Sequence, residues 1–231
     1  MKNFTTLCLT LLVGSIFAQS QDLRPFNAVN VFGPFQVELI SSDKEAIEME
    51  SINVNSEDII MEVKRGELRL KLKSRHYWSD WDSNKHKRHQ YIKTRVYYKS
   101  LSELQASAGA EIRFHEPVLS SKFFVYGNMG AEIYLPIEAN VLYAKSNMGA
   151  TVNLRGKANY LEVVGKMGGV VRASQLISKS AYVSASMGSD VSIYASDEID
   201  IAANFGADVK YSGDPVVRHT NKKMGAEIRK R

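Results

Sequence analysis

The octapeptide NMGAEIYL, which begins at Asn128, returns as NMGATVNL from Asn147, SMGSDVSI from Ser186 and NFGADVKY from Asn204. Its glycine falls at Gly109, Gly130, Gly149, Gly168, Gly188, Gly206 and Gly225, at spacings of 21, 19, 19, 20, 18 and 19 residues. Seven copies so closely spaced point to one structural unit stacked on itself, because such a short unit cannot bury its own apolar face.

Counting each unit from its glycine as position zero, the apolar residues fall at odd positions. Position +3 holds Ile112, Ile133, Val152, Val171, Val191, Val209 and Ile228. Position −5 holds Leu104, Val125, Ala144, Val163, Val183 and Ile201, and position −1 holds Ala108, Met129, Met148, Met167, Met187, Phe205 and Met224. Position +2 is polar in Glu111, Glu132, Thr151, Asp190, Asp208 and Glu227, with Val170 the exception. A period of two means strands, and strands in units of this length stack as a parallel β-solenoid with a rise of about 4.8 Å per rung. Each unit reads as a strand, a Met-Gly corner, a second short strand and a looser turn such as Pro136–Asn140. Glycine suits a corner that needs positive φ or close backbone approach. The same parity count points the methionines inward as flexible filler beneath the corner; a soft-metal ladder is the alternative use of a methionine series and ranks below core packing on that parity.

The first residues read as a secretory signal: Lys2, an apolar run from Leu7 to Phe17, and Ala18 before Gln19, which sets a peptide of residues 1–18. The only cysteine, Cys8, lies inside it. The mature chain therefore has no thiol for disulfides, nucleophilic catalysis or metal ligation. No later stretch approaches the roughly 20 apolar residues of a transmembrane helix. The net charge of +5 is read as solubilising surface charge, and for an exported chain an anionic glycan or a membrane surface is a more accessible partner than nucleic acid.

The rungs GAEI, GADV and GSDV, the run VKYSGDPVV from Val209, the last MGAEIRK and the opening RPFNAVNVFGPFQVEL from Arg24 together resemble the putative auto-transporter adhesin family with a head GIN domain. The resemblance covers about residues 22–229. It implies a right-handed parallel β-helix exported by Bacteroidetes and their relatives, and carries little about activity. Family rungs place a second small residue where this chain has Met, which implies a wider corner here.

Residues 22–229 are thus expected to form one domain: N-terminal capping strands over 22–73, with Gly66 in a hairpin turn, a loop insertion over 74–95, and the seven-rung repeat over 96–229. The insertion holds both tryptophans and three of five histidines. Aromatic faces beside cations suit sugar rings and anionic polymers, so Tyr77, Trp78, Trp81, Lys85, Lys87 and Arg88 are the candidate ligand site. The plainer reading is that the tryptophans pin the loop to the solenoid. The face of Glu111, Glu132 and Tyr134 is the second place to look. Asp80, Asp82 and Asn84 mimic the start of a calcium loop, but no glycine follows and Tyr91 replaces the closing Glu. His76, His86 and His89 stand among cations that oppose zinc. No metal or cofactor is expected.

These readings converge on an exported binding or adhesion module, in the periplasm, on the outer membrane or outside the cell, with a surface glycan or another envelope protein as partner. A polysaccharide-cleaving β-helix enzyme is the main rival and a purely structural envelope protein the third reading. No triad or outlying carboxylate cluster supports catalysis, and charge compensation between the +2 carboxylates and Arg113, Arg172, Lys210 and Arg229 at +4 accounts for both rows.

Overall fold

The computed structural model describes residues 20–52, 54, 56–73 and 91–231. It is all-β, and among these residues no helix is long and apolar enough to cross a membrane. The strands are β1 (Gln21–Asp22), β2 (Ala28–Phe32), β3 (Phe35–Ser41), β4 (Ala46–Ile52), β5 (Ile59–Lys64), β6 (Glu67–Leu72), β7 (Tyr91–Tyr98), β8 (Glu103–Ser107) and β9 (Glu111–Phe114). The long ones follow: β10 (Val118–Asn128), β11 (Glu132–Asn147), β12 (Thr151–Lys166), β13 (Val170–Ala185) and β14 (Asp190–Ala203). β15 (Asp208–Ser212), β16 (Val216–Lys222) and β17 (Glu227–Lys230) close the chain.

The repeat is a parallel β-solenoid. β10 to β14 pair successively in parallel, each residue opposite its counterpart about 19 further on, as in Ile133↔Val152 and Leu142↔Leu161. β11, β12 and β13 run 16 residues each, through the second corner, and Ile137↔Gly156 and Ala139↔Ala158 show that pairing survives that bend. Odd positions are buried as the period requires: Val152, Val171, Val191 and Val209 are all fully buried, as are Leu161 and Val163.

The methionines depart from the expectation. Met129, Met148, Met167, Met187 and Met224 are 41 to 69% exposed, and Phe205 joins them at 54%. They lie on the surface because the corner is a two-residue turn in which both residues take positive φ: Met148 +50° and Gly149 +71°, within ranges of +46° to +58° and +69° to +76° over the seven copies. Position +1 donates its N–H back to the carbonyl of −2, as Ala150 does to Asn147 at 3.2 Å, the geometry of a type I′ turn. Parity holds on both flanks, with −3 and +1 inward, and fails only at the turn residue itself. Nor is the corner wide. A Cβ on Gly127 at −3 would come within 3.0 Å of Val152, whereas one on Gly109, Gly130 or Gly149 would meet nothing. The ladder glycines are thus required by φ alone.

At the N-terminal side β2 and β3 lie inside the stack, parallel to β8 and β9 on one side and to β6 and β7 on the other. Parallel pairing stops there, since β5 runs antiparallel to β6 and β4 antiparallel to β7. Arg65 (φ +55°) and Gly66 (φ +77°) make the expected hairpin turn between β5 and β6, with the conformation of the Met-Gly corners. Tyr91–Arg95, expected in the insertion, belong to β7.

Candidate functional site

The sequence-based ligand site, Tyr77, Trp78, Trp81, Lys85, Lys87 and Arg88, lies outside the described residues, as do the three histidines beside it, the calcium-like Asp80, Asp82 and Asn84, and the signal segment with Cys8. Tyr91, opposite the end of that calcium-like spacing, is strand.

The described surface offers another site, built by the +4 row. Strand register aligns Arg113, Tyr134, Asn153, Arg172, Ser192, Lys210 and Arg229. Beside it runs the +2 row of Glu111, Glu132, Thr151, Val170, Asp190, Asp208 and Glu227. Toward the C-terminal end the rows neutralise each other: Lys210 lies 2.8 Å from Asp208 and 3.4 Å from Asp190, and Arg229 2.8 Å from Asp208 and 2.9 Å from Glu227. Burial works to raise the Asp208 carboxyl, but hydrogen bonds from Lys210 and Arg229 outweigh it and hold the pKa below its ordinary value. At the other end Arg113 lies 2.7 Å from Glu111, with its guanidinium 3.9 Å from the Tyr134 ring centroid, and the Glu111 hydrogen bond pushes its pKa up. Tyr134 donates its hydroxyl to Glu132, which raises the phenol's pKa further than its burial does.

Between these ends the acidic row is broken by Thr151 and Val170. Arg172 there donates to the Asn153 amide oxygen at 3.4 Å, and neither it nor Arg155, two residues beyond Asn153, has a carboxylate partner among the described residues. The same place is widened by an irregularity. Asn153 pairs with Arg172 but Arg155 with Gln175, so β13 carries one extra residue relative to β12, and relative to β14 it carries three between Ala173 and Ile177. Bulges of this kind bend a strand and re-aim its side chains. The result is a groove of about 460 Å³ with Phe114, Leu135 and Leu154 among its lining and Arg113, Arg155, Arg172, Tyr134, Asn153 and Gln175 around it. None of its lining residues is acidic. Three guanidiniums, two of them without a carboxylate partner among the described residues, suit an anion, since the planar fork matches carboxylate, sulfate or phosphate in bidentate fashion.

A second open groove of about 540 Å³ lies further along the same bend, with Glu138, Lys157 and Lys179 in its lining. The outward aromatics of β10 and β11 are engaged with each other: Phe124 and Tyr143 stack at 4.8 Å and 14°, and Lys122 sits 4.9 and 5.1 Å from their centroids. Their faces are spent on the ladder rather than offered to a ligand. Arg113 and Arg172 were noted in the sequence as members of a compensated row; Arg155 and Gln175 were missed. Two signals could have found them: the break at Thr151 and Val170, and the 20-residue spacing from Gly168 to Gly188, which contains the extra residue.

The family model described as putative auto-transporter adhesin, head GIN domain, matches residues 25–215. None of the curated proteins matches the chain. Among solved structures, a putative adhesin from Bacteroides fragilis superposes with a TM-score of 0.80 at 17% identity, covering 93% of this chain and 96% of that one. A putative adhesin from Parabacteroides merdae gives 0.70 at 13%, covering 93% and 95%. A putative lipid binding protein from Parabacteroides distasonis gives 0.66 at 18%, covering 93% and 96%. At these identities the likeness is one of fold.

Proposed function

Because the chain belongs to the putative auto-transporter adhesin, head GIN domain family, we propose that it is an exported binding module whose Arg113–Arg155–Arg172 groove takes an anionic glycan of the cell surface or its surroundings. The observation that carries the reading is the pair Arg155 and Arg172, left without carboxylate partners among the described residues where the +2 row lapses into Thr151 and Val170. Elsewhere on the same face the fold supplies a counter-charge to each +4 cation, so an uncompensated pair on a widened coil is the departure that a site grafted on a repeat should show. The solved relatives named for adhesion and for lipid binding support binding as the class of function. The N-terminal Lys2, apolar run and Ala18 support export.

Binding is favoured over cleavage by the state of the groove's one titratable acid–base candidate. Tyr134 donates to Glu132 and its pKa is raised, which makes it a poor proton acceptor near neutrality. The insertion with Trp78 and Trp81 remains the proposed second contact for a long polymer.

Titration with uronate-rich, sulfated and neutral polysaccharides tests this. Uronate or sulfate polymers are expected to bind, neutral ones not. Arg155→Ala and Arg172→Ala should each cost about 1.5 to 3 kcal/mol, the range for hydrogen bonds to charged groups, and affinity should fall as salt rises. Equal binding of neutral polymers, or unchanged binding by both variants, would overturn the reading. Release of unsaturated or reducing ends would turn it toward the enzyme.

A further inference from the structure

The six large apolar side chains at the −1 corners stand in one line. Gly130 donates its N–H to the Met148 carbonyl at 3.1 Å, Gly149 to Met167 at 3.2 Å and Gly168 to Met187 at 3.0 Å, so successive turns are bonded directly above one another. Met129, Met148, Met167 and Met187 therefore leave a single rigid spine one rung apart, about 4.8 Å, and are 41, 48, 43 and 55% exposed. Each holds φ between +46° and +53°, a conformation that suits Asn or Gly better than Met. Neither burial nor backbone preference accounts for Met there.

The side-chain chemistry separates a sulfur function from a merely apolar one. Of the eight methionines in the chain, five occupy this line, while Val, Leu and Ile, abundant in the core, never do. Thioethers are soft, neutral donors that select Cu(I)-like ions over Zn(II) or Ca(II). Among the described residues no group of three His, Asp or Glu offers a harder site. A metal–sulfur bond of about 2.3 Å, as for zinc–thiolate, makes an S–metal–S span of about 4.6 Å, close to the rung spacing.

We propose that Met129, Met148, Met167 and Met187 form a soft-metal track that binds a monovalent d10 cation, Cu(I) or its redox-stable counterpart Ag(I), through adjacent thioethers. Phe205 ends the track and separates Met224 from it. Coordination displaces water and releases no proton, because a thioether carries none, so affinity stays level from pH 5 to 8.

The test is a titration of the full chain, labelled at the methionine methyls, with silver nitrate in chloride-free buffer. Expected are shifts of the four track methyls within the first two equivalents, no shift of the partly buried Met49 and Met61, no response to Zn(II), and at least tenfold weaker binding by a Met148→Leu/Met167→Leu variant of unchanged thermal midpoint. Phe205→Met should draw Met224 into the responding set. Uniform replacement of Met by norleucine, which keeps length and removes sulfur, should abolish the response if the leucine variant does not fold. Silent track methyls, shifts of Met49 and Met61 in parallel with the track, or unweakened binding by the folded leucine or norleucine protein would overturn the proposal.

Discussion

The Met-Gly corner is where backbone preference and side-chain identity disagree most plainly. Two consecutive residues at positive φ are the signature of a type I′ turn, for which Asn-Gly is the usual pair. Met187, at φ +53° and 55% exposed, carries a cost that Asn would relieve. Met187→Asn is expected to stabilise by about 0.5 to 1 kcal/mol, read as a rise of a few degrees in thermal midpoint for a chain of this size; a fall would mean that the exposed methionines support one another more than their turns resist them. The ion-paired row gives a second expectation at this scale. The lowered pKa of Asp208, whose burial is outweighed by Lys210 and Arg229, means that its contribution is complete above the unfolded carboxylate value near 3.9 and is lost as pH falls through the folded value below it. Urea midpoints should therefore decline on acidification more steeply for the wild type than for Asp208→Asn; equal slopes would remove Asp208 from the acid response.

Among the elements, the Met-Gly corner and the bend within β12 ask for glycine for different reasons. Gly149 needs φ +71° and would meet nothing with a Cβ, while Gly156, on the bend within β12, holds φ +117° and would place a Cβ 2.2 Å from the Ile137 carbonyl oxygen. Gly149→Ala should cost about 1 to 2 kcal/mol, and Gly156→Ala about 3 kcal/mol or more, because strain and a backbone clash combine. Chemical denaturation of both variants checks the ranking, and a Gly149→Ala as damaging as Gly156→Ala would contradict it. The bend keeps its inter-strand pairs, which explains why Pro136–Asn140 reads in sequence as a loose turn but is strand. Polarity there reflects exposure, not a break in the ladder. Spacing and parity made the stack, its register and the hairpin at Gly66 legible. Parity misplaced the methionines because a turn of two left-handed residues interrupts alternation at one position and then restores it. Arg65-Gly66, a charged residue in the same conformation, was the clue that the residue before the glycine points outward.

For the whole molecule, a stack of similar coils offers a nearly uniform surface, and function has to arise where the uniformity fails. Two failures coincide on the coils of β12 and β13: the acidic row lapses at Thr151 and Val170, and an extra residue widens the wall near Gln175. Both are visible in the sequence once the coils are aligned, yet only the fold places Arg155 across from Gln175 and beside Arg172. The alternative site in the insertion follows from composition, since Trp78 and Trp81 concentrate there. The groove residues and residues 74–90 share no position in the chain, so one measurement can distinguish them. That measurement is amide chemical-shift mapping of the protein with a short uronate or sulfated oligosaccharide. The account expects the largest shifts at Arg113, Tyr134, Asn153, Arg155, Arg172 and Gln175, diminishing as salt is added; shifts confined to residues 74–90, or to Glu138, Lys157 and Lys179 in the second groove, would contradict it.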